Sequence, residues 1–306
     1  MDSHAERTIR RPARGSWFLV LALAGLMAQA VPAADPGPTT ARPGTPAPLV
    51  VGIFPRRAPA DTRRMFTPLV ALLARRLERP VKLETPPDFA SFWEDVRRDR
   101  YALVHYNPYH YLRAHRELGH QVIARNEEFG QAEIRAAIIV RRDSGITRVG
   151  QLRGRKVLFG GGRGAMVSYI AASDLLHRAG LRRGDYLEKF ALNPPKACIA
   201  VYFRQAAACG AGHVLLQLEV VRRAIDPDAL TILVSGEPLA HLPWAVSRRV
   251  GGAMRRRLQA ILTGLGTTEA GRAALSQAGL TGLVTTTDAD YDPHREVVAR
   301  VLGERY

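Results

Sequence analysis

Lysine is nearly missing from this sequence. Of 44 basic residues in 306, only Lys82, Lys156, Lys189 and Lys196 are lysines, and the rest are arginines. The net charge of +16 is scattered over pairs such as Arg56-Arg57, Arg141-Arg142 and Arg248-Arg249. No basic cluster is interleaved with aromatics, so nucleic acid is not an expected partner. A general attraction for anionic ligands or surfaces remains. Cysteine is scarcer still, with two residues, too few for a disulfide framework. Cys198 falls early in an expected helix and Cys209 just after it. A helix of about ten residues is about 15 Å long, beyond the reach of a bridge, so two buried thiols are expected. Transmembrane runs are lacking as well. The apolar stretch Trp17–Met27 is only 11 residues long, too short to span a bilayer, and no later run reaches that length. No nucleophile–base pair or paired carboxylates stand out. Ser168 and Asp174 share one expected helix with no adjacent histidine. Neither an enzyme nor a cofactor is implied.

The N-terminus carries Arg7, Arg10, Arg11 and Arg14, then the short apolar core, then Ala28-Gln29-Ala30. A basic region, a short apolar core and a small-residue site make a cleavable signal peptide over 1–30. Arg10-Arg11 raises twin-arginine export, but Pro12 and the surrounding pattern favour ordinary secretion. The mature protein is therefore expected to be soluble and periplasmic or extracellular. Residues 31–48 are proline-rich with small polar residues and read as an unstructured lead-in.

From Leu49 onward, strands and helices alternate. Strands are expected at 49–53, 81–84 and 102–106, with helices at 65–77, 89–96 and from Asn107-Pro108 to before Gly119. This alternation signals a mostly parallel sheet. A strand over 133–140 leads to a second set: strand 155–159, helix 165–179, strand 187–192, helix 194–205 and a strand near 213–218. An apolar run at 230–234 and a returning strand at 241–246 follow, and helices near 250–264, 268–278 and 293–303 close the chain. Two α/β lobes result, the second inserted in the first. Their boundaries are placed at 49–136 and 236–306 for lobe 1, and 137–235 for lobe 2. The strand ends of both should face an intervening cleft.

The chain is organised around Lys156–Ala171, where a short apolar strand meets Gly160-Gly161-Gly162-Arg163-Gly164 and then a helix. Bare backbone N–H groups beside the positive end of a helix suit an anion. A tight turn whose glycines only permit positive φ is the alternative. No Gly-Lys-Ser/Thr follows, so this is not a P-loop. The spacing Gly160-x-Gly162-x-x-Ala165 fits the loose dinucleotide fingerprint, but that fingerprint belongs in the first βαβ unit.

A set of landmarks runs through the mature chain in order: Gly52-Ile53, Pro68-Leu69, Asp88-Phe89, Pro108 with Tyr111, Asp143-Ser144-Gly145-Ile146, Leu152-x-Gly154, Phe159-Gly160, Ala200-Val201 and Tyr291-Asp292-Pro293. In their order and spacing, the sequence resembles the periplasmic phosphate/phosphite/phosphonate-binding proteins, the solute receptors of ABC importers. The resemblance implies an α/β, two-lobe type II periplasmic-binding-protein fold that closes on a small ligand. It also implies a permease partner in the inner membrane and a monomeric receptor.

Residue by residue, most of that family's ligand groups are replaced. Its Ser-Thr-Ser run falls on Gly164-Ala165-Met166, and its pocket histidine on Pro194. Its acidic residues fall on Ala207 and Val214, one tyrosine near Ile134, and another on Phe89. Tyr106 is kept, followed by Asn107 where the family has glycine. A small anionic ligand with a carbon skeleton is therefore expected. Phosphate, phosphite and simple alkylphosphonates are expected to bind weakly or not at all. The alternative is an exported enzyme or sensor partner on the same two-lobe fold.

The residues expected at the ligand are Phe89, Tyr106, Arg135, Gly161, Gly162, Gly164, Ala165, Met166, Asn193 and Lys196. His105, His110, His115 and His120 recur every five residues, a period that spreads them around a helix rather than gathering a metal site. They are expected to be solvated or capping histidines. Trp244 reads as hinge lining or core.

Overall fold

The computed structural model describes residues 47–306. The expected signal peptide and the lead-in up to residue 46 lie outside the described residues. The first strand β1 (Leu49–Ile53) leads to α1 (Pro59–Leu77). This helix begins six residues before the expected start because Pro59 pre-sets the first helical φ. Then come β2 (Val81–Glu84), α2 (Phe89–Arg97), β3 (Leu103–His105), α3 (Pro108–Leu118) and β4 (Gln121–Glu127). Asp88 caps α2 by accepting the Ser91 N–H at 2.8 Å.

The expected strand over 133–140 is two strands, β5 (Glu133–Ile134) and β6 (Ala136–Arg141). They belong to different sheets, so the chain changes sheet at Arg135. Next come β7 (Lys156–Gly160), a π-helical stretch over Met166–Ala171, and α4 (Ala172–Arg178). The segment is completed by β8 (Leu187–Ala191), α5 (Pro194–Tyr202), β9 (Ala208–Gly212), α6 (Glu219–Arg222) and β10 (Leu230–Ser235). The strand expected near 213–218 is thus a 3₁₀ segment, His213–Gln217, and the true strand precedes it. That strand reads Ala-Cys-Gly-Ala-Gly and has no β-branched residue to announce it.

The chain returns through β11 (Leu239–Ala240) and β12 (Pro243–Val246), then α7 (Gly252–Thr263), α8 (Glu269–Ala278), β13 (Gly282–Thr285) and α9 (Asp292–Leu302). No helix among the described residues is long and apolar enough to cross a membrane.

The strands form a six-stranded sheet in the order β13-β4-β12-β3-β1-β2 and a five-stranded sheet in the order β10-β6-β9-β7-β8. A two-stranded crossing, β11-β5, accompanies them. The first sheet is parallel only over β1, β2 and β3, while β12, β4 and β13 pair antiparallel. It is therefore mixed rather than mostly parallel. The second sheet takes all its strands from between Ala136 and Ser235, with β6 and β10 antiparallel to their neighbours.

One face of the first sheet packs on α1, α7 and α8 through Phe66, Leu73, Leu258 and Leu275. One face of the second packs on α5 and α6 through Cys198, Val201 and Val221. The remaining faces share a single core running from Phe92, Tyr106 and Tyr111 through Val298 to Phe159 and Ile170. Helix α9 lies within that shared core, and its Arg300 Nε donates to Asp174 Oδ1 at 3.0 Å. The structure is thus the closed arrangement of two α/β lobes.

Candidate functional site

The C-terminal ends of parallel strands from both sheets converge on one cleft, as the topology of such sheets requires. Phe54 and Arg56 follow β1, Phe89 opens α2, and Asn107 precedes α3. From the opposite lobe come Gly160 at the end of β7 and Gly161 after it, Leu192 and Asn193 after β8, and Val214 after β9. Ile134 and Leu242 from the crossings form the back wall. The enclosed part of this space is small, about 80 Å³, and its mouth is open to solvent.

The glycine turn is built by close approach as well as by backbone freedom. A Cβ on Gly160 would lie 2.1 Å from the Pro194 nitrogen, so β7 and the start of α5 can meet only over a glycine. Gly161 and Gly162 hold φ near +85° and +84°. The following helix is π-helical rather than α-helical at its start. Ile170 N–H reaches back five residues to the Ala165 carbonyl at 3.0 Å, a rare geometry that appears mostly as single turns at functional sites.

This turn is not a bare anion cradle. Asn107 stands at the N-cap position of α3 but does not cap it. Its side chain crosses the cleft instead. The Nδ2 group donates to the Gly164 carbonyl, and Oδ1 accepts the Met166 N–H at 3.2 Å. Asn107 Nδ2 also lies 3.1 Å from His110 Nδ1, and the His110 ring stacks on Phe89 at 4.9 Å. Burial lowers His110 to about 3, so the ring is neutral at physiological pH.

Charge enters the cleft at one edge. Arg56 Nη1 pairs with Glu128 Oε1 at 3.0 Å, and His241 Nε2 lies 3.7 Å from the other Glu128 oxygen. Burial would raise Glu128, but Arg56, with His241 and Arg57 behind it, holds it down to about 2. Burial, reinforced by the adjacent Arg56, lowers Arg57 to about 10. Arg163 points elsewhere, bonded to Glu188 and to the Tyr169 hydroxyl.

Of the residues singled out in the sequence, Phe89, Gly161, Ala165, Met166 and Asn193 line the cleft. Gly162 and Gly164 belong to the turn, where Gly164 offers its carbonyl to Asn107. Tyr106 is fully buried, its hydroxyl 2.9 Å from His120 Nδ1, and so belongs to the core. Arg135 sits where the chain changes sheet, in a separate polar depression with Arg125, Gln131 and His213. Lys196 is exposed on the first turn of α5, and its backbone N–H, rather than its ammonium, meets Asn193.

The sequence reading passed over Phe54, Arg56, Leu192 and Leu242. Phe54-Pro55-Arg56 directly follows a strand end, and that position was the available signal. The histidines at 105, 110 and 120 are buried rather than solvated, because the aromatic core encloses them. No group of three metal-capable side chains occurs among the described residues. Ser168 donates to the Gly160 carbonyl at 2.7 Å, and Asp174 pairs with Arg300 and Arg178.

The family model described as ABC transporter, phosphonate, periplasmic substrate-binding protein matches residues 51–291. Among solved structures, PhnD1 from Prochlorococcus marinus in complex with methylphosphonate is similar, with a TM-score of 0.73 at 12% identity. That match covers 84% of this chain and 98% of the other. A binding protein component of an ABC phosphonate transporter from Pseudomonas aeruginosa gives 0.72 at 12% identity, covering 83% and 86%. A Xanthomonas citri protein bound to chloride ion gives 0.70 at 18%, covering 83% and 97%. At these identities the structural likenesses establish the fold alone.

Proposed function

This chain belongs to the phosphonate family of ABC-transporter periplasmic substrate-binding proteins, and we propose that it carries a small anionic solute to an inner-membrane permease. The observation that carries this reading is the cleft between two lobes, bridged by Asn107. A receptor needs such a device, because closure converts ligand capture into a shape that a membrane partner distinguishes from the open one. We assign solute contact to Phe54, Arg56, Phe89, Gly161, Ala165, Met166 and Asn193.

On this reading the chain is a monomeric receptor and not a catalyst, exported by a cleavable signal peptide over residues 1–30. The second lobe, 137–235, moves against the first, built from 49–136 and 236–306. The Ser168 hydroxyl and the Asp174 carboxylate, the two side chains that could suggest hydrolysis, are engaged in structural bonds.

The test is ATP hydrolysis by a permease and ATPase pair that co-purifies with the mature protein, reconstituted in proteoliposomes. Adding the mature protein should raise the rate several-fold. An unchanged rate at saturating protein would remove the transport reading.

A further inference from the structure

The cleft is apolar almost throughout, and most of its polar side-chain groups are already engaged. Phe54, Phe89, Met166, Leu192, Val214 and Leu218 supply most of its wall. Asn107 is bonded through both ends of its carboxamide to Gly164 and Met166. The Ser168 hydroxyl is donated to the Gly160 carbonyl. The Asn193 carboxamide oxygen caps α5 through the Lys196 N–H. The Asn193 Nδ2 group and Arg56 keep unused donors, and of the two only Arg56 is charged. One of its N–H groups meets Glu128, and a guanidinium carries five.

The charge count at that edge is equally restrictive. Arg57 makes no ion pair among the described residues, so Arg56, Arg57 and Glu128 together leave one positive charge uncompensated. His241, which faces Glu128, is neutral at physiological pH.

From this lining we propose, building on the receptor reading above, that the solute is an amphipathic monoanion. Its hydrocarbon body fills the apolar cleft, and a single carboxylate is held at Arg56. A carboxylate matches the planar fork of an arginine with two parallel hydrogen bonds. Its carbon body gains by leaving water against the apolar wall. A phosphate or a short phosphonate fits poorly. Its oxygens would need several donors at once, and oxygens left facing methyl and phenyl groups lose their hydration without replacement. Of the backbone donors at the helix start, the Asn107 carboxamide already occupies the Met166 N–H.

Calorimetric titration of the mature protein with octanoate, 4-phenylbutyrate, octanamide, methylphosphonate and inorganic phosphate tests the proposal. At least one of the two carboxylates should bind tenfold or more tightly than octanamide, and a hundredfold more tightly than methylphosphonate or phosphate. Leu192→Asp alters an exposed side chain on the cleft rim, so the fold should survive it. It should weaken the carboxylate tenfold or more. Arg56→Gln should erase the preference for octanoate over octanamide. Methylphosphonate or phosphate binding more tightly than both carboxylates would overturn the proposal, as would binding of neither carboxylate or an unchanged affinity in Leu192→Asp. The receptor reading stands or falls separately, on stimulation of the reconstituted transporter. A tight methylphosphonate complex that stimulates ATP hydrolysis would leave that reading intact and remove only the amphipathic solute.

Discussion

Asn107 Oδ1 accepts the Met166 N–H at 3.2 Å across the cleft, and Nδ2 of the same side chain donates to the Gly164 carbonyl. An asparagine at a helix N-cap ordinarily bonds to its own helix. Here the carboxamide reaches the other lobe, so one residue both begins α3 and fastens the closed state. Each buried hydrogen bond contributes about 1 kcal/mol net. Asn107→Ala should therefore shift the open–closed balance by about 2 kcal/mol, a factor of about 30. Small-angle scattering of the ligand-free variant should show a larger radius of gyration than the parent. Superimposable profiles would mean that something other than this bridge holds the lobes together.

Acid should unfold the protein in two overlapping steps. His105, His110 and His294 are lowered by burial to about 3, and His120 and His241 to about 4. An unfolded chain protonates these rings near pH 6.5, while the folded one keeps them neutral. Stability is thus present in full above pH 6.5 and falls as the pH drops toward 4 and then 3. Each ring contributes up to about 1.4 kcal/mol per pH unit to that fall. Glu128, held down to about 2 in the fold, adds a loss in the same direction between pH 4.5 and 2. Urea midpoints should drop steeply between pH 7 and 5. A flat profile over that interval would show that the rings titrate freely in the native state.

How far the sequence was legible differs from element to element. The strand, glycine turn and helix over Lys156–Ala171 could be read because apolar periodicity and glycine punctuation are local signals. The order of the lobes followed from the alternation of strands and helices. Strand β4 escaped because Gln121–Glu127 is mostly polar, with only Ile123, Ala124 and Asn126 buried. Arg56 escaped because an arginine in a loop carries no periodic signature, and only its place after β1 marks it. Tyr106 was drawn into the site by resemblance, yet Phe92 and His120 claim its ring and hydroxyl for the core. Asn107 could be read as the start of a helix, but the direction of its side chain is a tertiary fact.

The two thiols show why distance along a helix misleads. Cys198 lies on α5 and Cys209 on β9, which runs back beneath that helix. The expected separation does not hold. The two thiols are neighbours, and Cys198 together with burial pushes Cys209 well above the ordinary thiol range. Both are free and buried. Ellman's reagent should therefore find no reactive thiol in the native protein and two after unfolding. Recovery of none after unfolding would reveal a bridge, and reaction in the native state would show that the α5–β9 packing is loose.

Two glycines of the same turn should respond unequally to alanine. At Gly160 the φ is unremarkable, but a Cβ would meet the Pro194 nitrogen at 2.1 Å and the Asn193 carbonyl carbon at 2.4 Å. Both are backbone atoms, and Pro194 opens α5, so the strand end or the helix start must move. Gly160→Ala should cost about 3 kcal/mol, in the range seen when a packed core is overfilled. It should also displace Asn193 and Pro194 from the cleft wall, weakening whichever solute the cleft holds. At Gly162 nothing lies within 4 Å, and the only obstacle is a φ of +84°. Gly162→Ala should cost about 1–2 kcal/mol, the penalty for an L-residue in left-handed geometry, and leave solute affinity unchanged. Denaturant melts and titrations on both variants separate the cases. Equal costs at the two positions would mean that β7 and α5 are not in the contact described, and the floor of the cleft would have to be rebuilt.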